Sequence, residues 1–224
     1  ELQTSAVWWQ LEQGTLESAF ANRQDALDGF LGAAYALHTV ASLSVMAEAR
    51  DLQKAVGSGD AAFFATQDQR GRGQWRNAEG KVEDPERSTA FNPTVYLYDN
   101  FPGGIGLSEP LFRRAGELIA KARDLVGNCG CSVGCPACVG PVLAGQEAKC
   151  DVQKPGCREG QGRHGATRES QGWQGAAYEG HGGTDAAREV QRWPRAAAVD
   201  DISRRSPKGL ALIALDLFEG HDQQ

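Results

Sequence analysis

The chain has 224 residues, 41% of them hydrophobic and 28 of them glycine, enough for one large domain or a domain with an appendage. A formal charge of −6 and a pI near 5.3 argue against a chain-wide basic field, and so against a self-sufficient nucleic-acid binder of the ordinary electrostatic kind. No run of about 18 apolar residues exists to span a membrane, and Glu1-Leu2-Gln3-Thr4 has neither an initiator Met nor the basic-then-apolar pattern of a signal peptide, so the chain reads as a cytoplasmic piece of something longer.

Residues 4–9, Thr-Ser-Ala-Val-Trp-Trp, form a β-prone, aromatic segment, followed by a turn around Gly14. A helix is expected next, capped by Asn22 with Asp25 in its first turn. Leu27, Phe30, Leu31, Ala34, Leu37 and His38 fall on one apolar face of it. A second helix is read over 41–50 with Leu43, Met46 and Ala47 inward, then a break at 57–60 and a short strand at 61–66. Residues 67–93 are polar and punctuated by Gly71, Gly73, Gly80, Pro85 and Pro93, which reads as a loop.

Thr94 to Tyr98 is the clearest strand, apolar on both faces as a covered central strand requires. It runs through the glycine loop 99–106 into a helix opening near Ser108, with Leu111, Ala115, Leu118, Ala122 and Leu125 inward and Gly127 as its stop. From Asp151 to Arg188 there is no Leu, Ile or Phe, and a stretch of that kind cannot bury enough apolar area to offset its ordering entropy. Residues 145–203 therefore read as a disordered insertion. A closing helix follows within 204–219, with Leu210, Ile213, Ala214 and Leu217 on one face. The expected fold class is a mixed α/β single domain over 1–144, completed by that helix.

The densest chemistry lies at 129–138, where Cys129, Cys131, Cys135 and Cys138 are spaced C-x-C-x3-C-x2-C among glycines and a proline. A tetrahedral zinc ion takes four converging soft ligands, and Gly and Pro let a backbone wrap so small a point. The alternatives are disulfides or redox thiols, of which a Cys129–Cys131 bridge would close a very short, strained ring. Four thiolates leave no open coordination position, so a single Zn2+ here is expected to be structural rather than catalytic.

Other candidates carry two readings each. The loop holding Asp99, Gly103, Gly104 and Gly106 lies between a strand and a helix, where backbone N–H groups either cradle an anion or simply make a tight turn. Asp99 would cap that loop or orient a partner. His38 and Asp51 could pair catalytically or serve structurally. Trp8 and Trp9 could stack on bases, although strand alternation puts one of them in the core. Cys150, Cys157 and His164 suggest a second metal only by spacing, and Arg158, Arg163 and Arg168 are diluted by Glu159 and Glu169.

Taken in order, Thr4-Ser5-Ala6-Val7-Trp8-Trp9, Leu37-His38, Asp51-Leu52, Tyr98-Asp99 with Pro102-Gly103-Gly104-Ile105-Gly106, and the four cysteines resemble the MrfA-type zinc-binding domain. That domain is the C-terminal part of a group of DEAD/DEAH-box superfamily 2 DNA helicases. The resemblance covers about residues 1–145 plus 206–218. It implies that the four cysteines bind zinc, and that the partners are helicase ATPase lobes, in cis or in trans, and DNA, in repair or in defence. Three departures matter: the insertion at 145–203 has no counterpart in the family, its abrupt composition change would also fit a frameshifted or mispredicted coding segment, and the ATPase is missing. Gly80-Lys81-Val82 lacks the upstream glycine and the hydroxyl of a phosphate-binding loop, and no magnesium-holding acidic tetrad occurs. The chain on its own is not expected to hydrolyse ATP. The rival readings are a thiol redox or hydrolase domain, and a truncated remnant without independent activity.

Overall fold

The computed structural model describes residues 2–48, 50–60, 62–69, 71–88, 91–141 and 206–221. The expected insertion at 145–203, with Cys150, Cys157 and His164, lies outside the described residues. Among the described residues the strands are β1 Ala6–Gln10, β2 Leu52–Ser58, β3 Phe63–Gln67, β4 Gly73–Asn77, β5 Val82–Glu83 and β6 Pro93–Asp99. They form a six-stranded antiparallel sheet in the order β1-β6-β2-β3-β4-β5. The helices are α1 Gln13–Ala19, α2 Arg23–Ser44, α3 Ser108–Arg113, α4 Ala115–Gly127 and α5 Pro207–His221.

β6 lies inside the sheet as its sequence predicts, pairing with β1 through Val95↔Trp9 and Leu97↔Val7 and with β2 through Val95↔Val56. Val7, Trp9, Leu52, Val56, Val95 and Leu97 are buried on the face beneath α2. The other side of α2 packs on α4 and α5. With neighbours on both sides, α2 buries more than one stripe: Ala26, Ala33, Ala36 and Ala41 are as covered as Leu27, Phe30 and Leu37. Small residues set the approach of α5, and Phe30 meets Phe218 edge to face at 5.3 Å. Asn22 caps α2 as expected, its Oδ1 accepting from the Asp25 N–H at 2.7 Å.

Five expectations are corrected. The turn around Gly14 is part of α1. The helix expected over 41–50 does not form, because α2 continues unbroken to Ser44 and ends in a Schellman-type turn. In that turn Ala47 N donates to Ser42 O and Met46 N to Leu43 O, with Met46 in the left-handed region at φ 54°. Leu43 and Met46 consequently point out, at 76% and 93% exposed, not inward. The segment 67–93 is no plain loop: it holds β4, β5 and a 3-10 turn at Pro85–Arg87, with Trp75 wholly buried and stacked on Phe63 at 5.8 Å. The helix from Ser108 is two helices, parted at Arg114. β2, which had no clear sequence signal, is the strand that joins the two halves of the sheet.

Candidate metal centre

The last turn of α4 delivers the first ligand. Asn128 N bonds to Asp124 O and Cys129 N to Val126 O, so Cys129 leaves the helix in a fixed direction. A second tight turn presents the other end of the cluster, with Cys138 N donating to Cys135 O at 3.0 Å and Val139 N to the same oxygen at 3.1 Å. Between them Gly134 takes φ 118°, and a Cβ there would lie 2.9 Å from Val139 Cγ2 and 3.2 Å from Lys208 N. Only glycine fits both the backbone conformation and the space.

The four sulfurs converge. Cys129–Cys135 and Cys131–Cys138 are each 3.6 Å apart, Cys135–Cys138 is 3.7 Å, and all four lie within 4.8 Å of one another. Zinc–sulfur bonds of about 2.3 Å in a tetrahedron place the sulfurs about 3.8 Å apart, so the cluster has the size one zinc ion requires. All four are free cysteines, Cys131 and Cys138 buried and the other two half-buried. Burial pushes the Cys131 thiol up to about 11 and raises Cys138 as well. Burial also acts upward on Cys129, but hydrogen bonds from the Cys131 backbone and the facing thiols hold it below its ordinary value. A divalent cation removes the repulsion that keeps such thiols protonated, and its binding releases their protons. The cluster is therefore positioned to bind one metal ion, and its donor set is that of structural zinc.

Lys208, in the first turn of α5, was not legible as part of this centre. Its Nζ donates to the carbonyl oxygens of Cys129 at 2.8 Å, Cys131 at 3.2 Å and Gly127 at 3.3 Å, and its backbone N–H to Val133 O at 2.9 Å. The Ser206 side chain caps the same helix end by accepting from Gly209 N at 3.1 Å. A serine followed by Pro207 announces a helix start, but nothing local announces contacts reaching 77 to 81 residues back.

The glycine loop resolves into a turn organised by its own acid. Asp99 is fully buried, and its Oδ2 accepts from the N–H groups of Ile105 at 2.7 Å, Gly106 at 2.9 Å and Leu107 at 3.1 Å. Its Oδ1 accepts from the Ser108 hydroxyl at 2.8 Å. Gly103 N donates to Gln3 O and Gly104 N to Phe101 O, so the amides of 103–107 are all engaged within the protein. The anion in this cradle is Asp99. Positive φ at Gly103, Gly104 and Gly106 makes the reversal feasible.

His38 and Asp51 are not joined. His38 Nε2 lies 2.8 Å from the carbonyl oxygen of Leu52, which can only accept, so Nε2 carries the proton. Burial lowers the His38 pKa, with the Leu52 bond opposing and nearby Lys54 adding to the shift. The Asp51 carboxylate instead accepts from Glu48 N at 3.3 Å and lies 3.9 Å from Arg50. Trp9 is core while Trp8, on the opposite sheet face, is 61% exposed and sits across from Tyr96.

Residues 33–139 match the family model described as the MrfA Zn-binding domain. β1, α1, the first turns of α2 and all of α5 lie outside that match. Among curated proteins, the chain is similar to the uncharacterized ATP-dependent helicase YprA of Bacillus subtilis (strain 168), 46% identical over 57 residues, which are 25% of this chain and 8% of the relative. It is also similar to the uncharacterized protein MJ1572.1 of Methanocaldococcus jannaschii, 40% identical over 45 residues, which are 20% of this chain and 40% of the relative. The matched part thus spans well under two thirds of either relative. Of solved structures, one of the DUF1998 helicase MrfA bound to DNA matches 66% of this chain and 16% of its own at 25% identity and a TM-score of 0.39. Another, bound to DNA and AMPPNP, matches 61% and 13% at 26% identity and a TM-score of 0.36.

Proposed function

We propose that this chain, whose residues 33–139 match the MrfA Zn-binding domain model, serves as a zinc-clasped accessory module of a helicase-like protein, with no reaction of its own. Its job is to contact DNA and brace an ATPase core held in the same or another polypeptide, in DNA repair or defence in the cytoplasm. The unit spans 1–144 with the closing helix at 204–219, and residues 145–203 are an insertion into it. The observation that carries this reading is the closed set of four thiolate donors at the junction of α4 and α5. Cys129, Cys131, Cys135 and Cys138 would hold the ion. Bound there, zinc supplies a cross-link and no vacant position for a substrate or water. Free cysteines fit a reducing compartment.

The contact surface is the open sheet face, where Trp8 is exposed beside the half-buried Tyr96 and Tyr98. Aromatic side chains of this kind anchor protein interfaces and also stack on unpaired bases. No helix of the described residues is long and apolar enough to cross a membrane. The test mixes the zinc-loaded chain with a helicase ATPase core of this family lacking its own zinc-binding domain, and separately with fluorescent single-stranded DNA. Binding to either, weakened at least tenfold by Trp8→Ala without loss of zinc, supports the proposal. Binding to neither partner overturns it.

A further inference from the structure

We infer that Lys208 is a positioning residue for the metal centre: its ammonium is the internal counter-cation of the tetrathiolate and couples zinc retention to the docking of α5. An ammonium has three donors, and the three carbonyl oxygens of Gly127, Cys129 and Cys131 lie 3.3, 2.8 and 3.2 Å from Nζ. Two of these acceptors belong to metal-ligating residues and the third to the last residue of α4. Four thiolates around a divalent ion leave a net charge of −2, and a fixed cation beside them offsets part of that excess. The electrostatics of the elements agree, because the positive end of α5 meets the negative end of α4 at this point.

The covalent path between the two sides is long. Lys208 is 77 residues beyond Cys131, so α5 reaches the knuckle through tertiary contacts rather than a short connection. Pro207 and Lys208 close over Gly134, and Lys208 N–H is bonded to Val133 O at 2.9 Å. If the knuckle holds its shape only with metal, the carbonyls that receive Nζ are in place only with metal. Linkage then requires the reverse: a contact that docks α5 on the knuckle itself must also tighten zinc. Outer-shell groups of this kind typically change metal affinity by roughly 10–100-fold.

The test measures zinc transfer from the full chain to a chromogenic chelator under native conditions. Lys208→Met keeps the aliphatic stem and removes the charge and donors, and it is expected to release zinc roughly 10–100-fold faster. Lys208→Arg keeps the charge and is expected to fall between the two. Arg123→Ala breaks the α4–α5 ion pairs to Asp216 and Glu219 at a distance from the knuckle, and should leave the release rate within about twofold. A wild-type rate in Lys208→Met, or equal acceleration in Lys208→Met and Arg123→Ala, overturns the inference. A second measurement needs no variant. Amide hydrogen exchange across 210–218 of the wild type should quicken at least tenfold when zinc is stripped, and unchanged protection there overturns the inference as well.

Discussion

The carbonyl oxygen of Leu210 on α5 lies 2.7 Å from the place a Cβ on Gly29 of α2 would occupy. Three residues on, a Cβ on Gly32 would lie 2.9 Å from the Cβ of Ala211. These glycines cost helix propensity and let two helices approach until backbone touches side chain. Alanine in an open helix position gains up to about 1 kcal/mol over glycine, but here a backbone oxygen must move. Gly29→Ala is expected to destabilise the fold by about 1–3 kcal/mol by chemical denaturation. Gly14→Ala in α1, where the Cβ meets nothing within 4 Å, is expected to stabilise it by up to about 1 kcal/mol. A stabilised Gly29→Ala would show that α5 does not sit against α2 at this distance.

Asp99 is the hub of the loop after β6. Asp99→Ala leaves three N–H donors and the buried Ser108 hydroxyl without their acceptor, and is expected to cost about 1–3 kcal/mol. Asp99→Asn should cost less, because its oxygen can still face the three amides while its NH2 donates to Ser108 Oγ. Thermal melts of the two variants check the order. Equal stability of Asp99→Ala and wild type would contradict the internal-anion account.

Asp28 carries a pH signature. Burial raises its pKa from 3.8 to about 6, against hydrogen bonds from Gly73 N and Gln24 that lower it. The folded state therefore holds this proton more tightly than the unfolded chain does. The resulting contribution is full below about pH 4, falls as pH rises from about 4 to 6, and leaves a penalty above that of at most about 3 kcal/mol. Asp28→Asn retains an oxygen for Gly73 N–H and removes the titration. The difference in unfolding free energy between variant and wild type should grow in the variant's favour between pH 4 and pH 7. A difference independent of pH would contradict the raised pKa.

How much of this was legible in the sequence depended on whether the signal was local. The cysteine spacing, the Asn22 cap and the apolar run of β6 are local, and each appears where expected. β4 was illegible because Trp75 is its only large apolar residue, and one residue sets no period. β2 carries Lys54 on its inner face, an apparent break in alternation, yet its ammonium lies over the Tyr35 ring at 5.2 Å. α2 looks like two helices in the sequence because a one-face pattern fails in a helix covered on two sides. Asp99 was legible as a loop acid, but its four donors depend on how the loop closes. Lys208 had no sequence signal at all, since its acceptors are brought to it by the fold.

The most direct measurement is the metal content of the reduced, purified chain by elemental mass spectrometry, set beside that of Cys135→Ser. The account predicts one zinc per wild-type chain, little or none in the variant, and loss of cooperative unfolding when the metal is removed. A wild-type chain that folds cooperatively with no bound metal would contradict it.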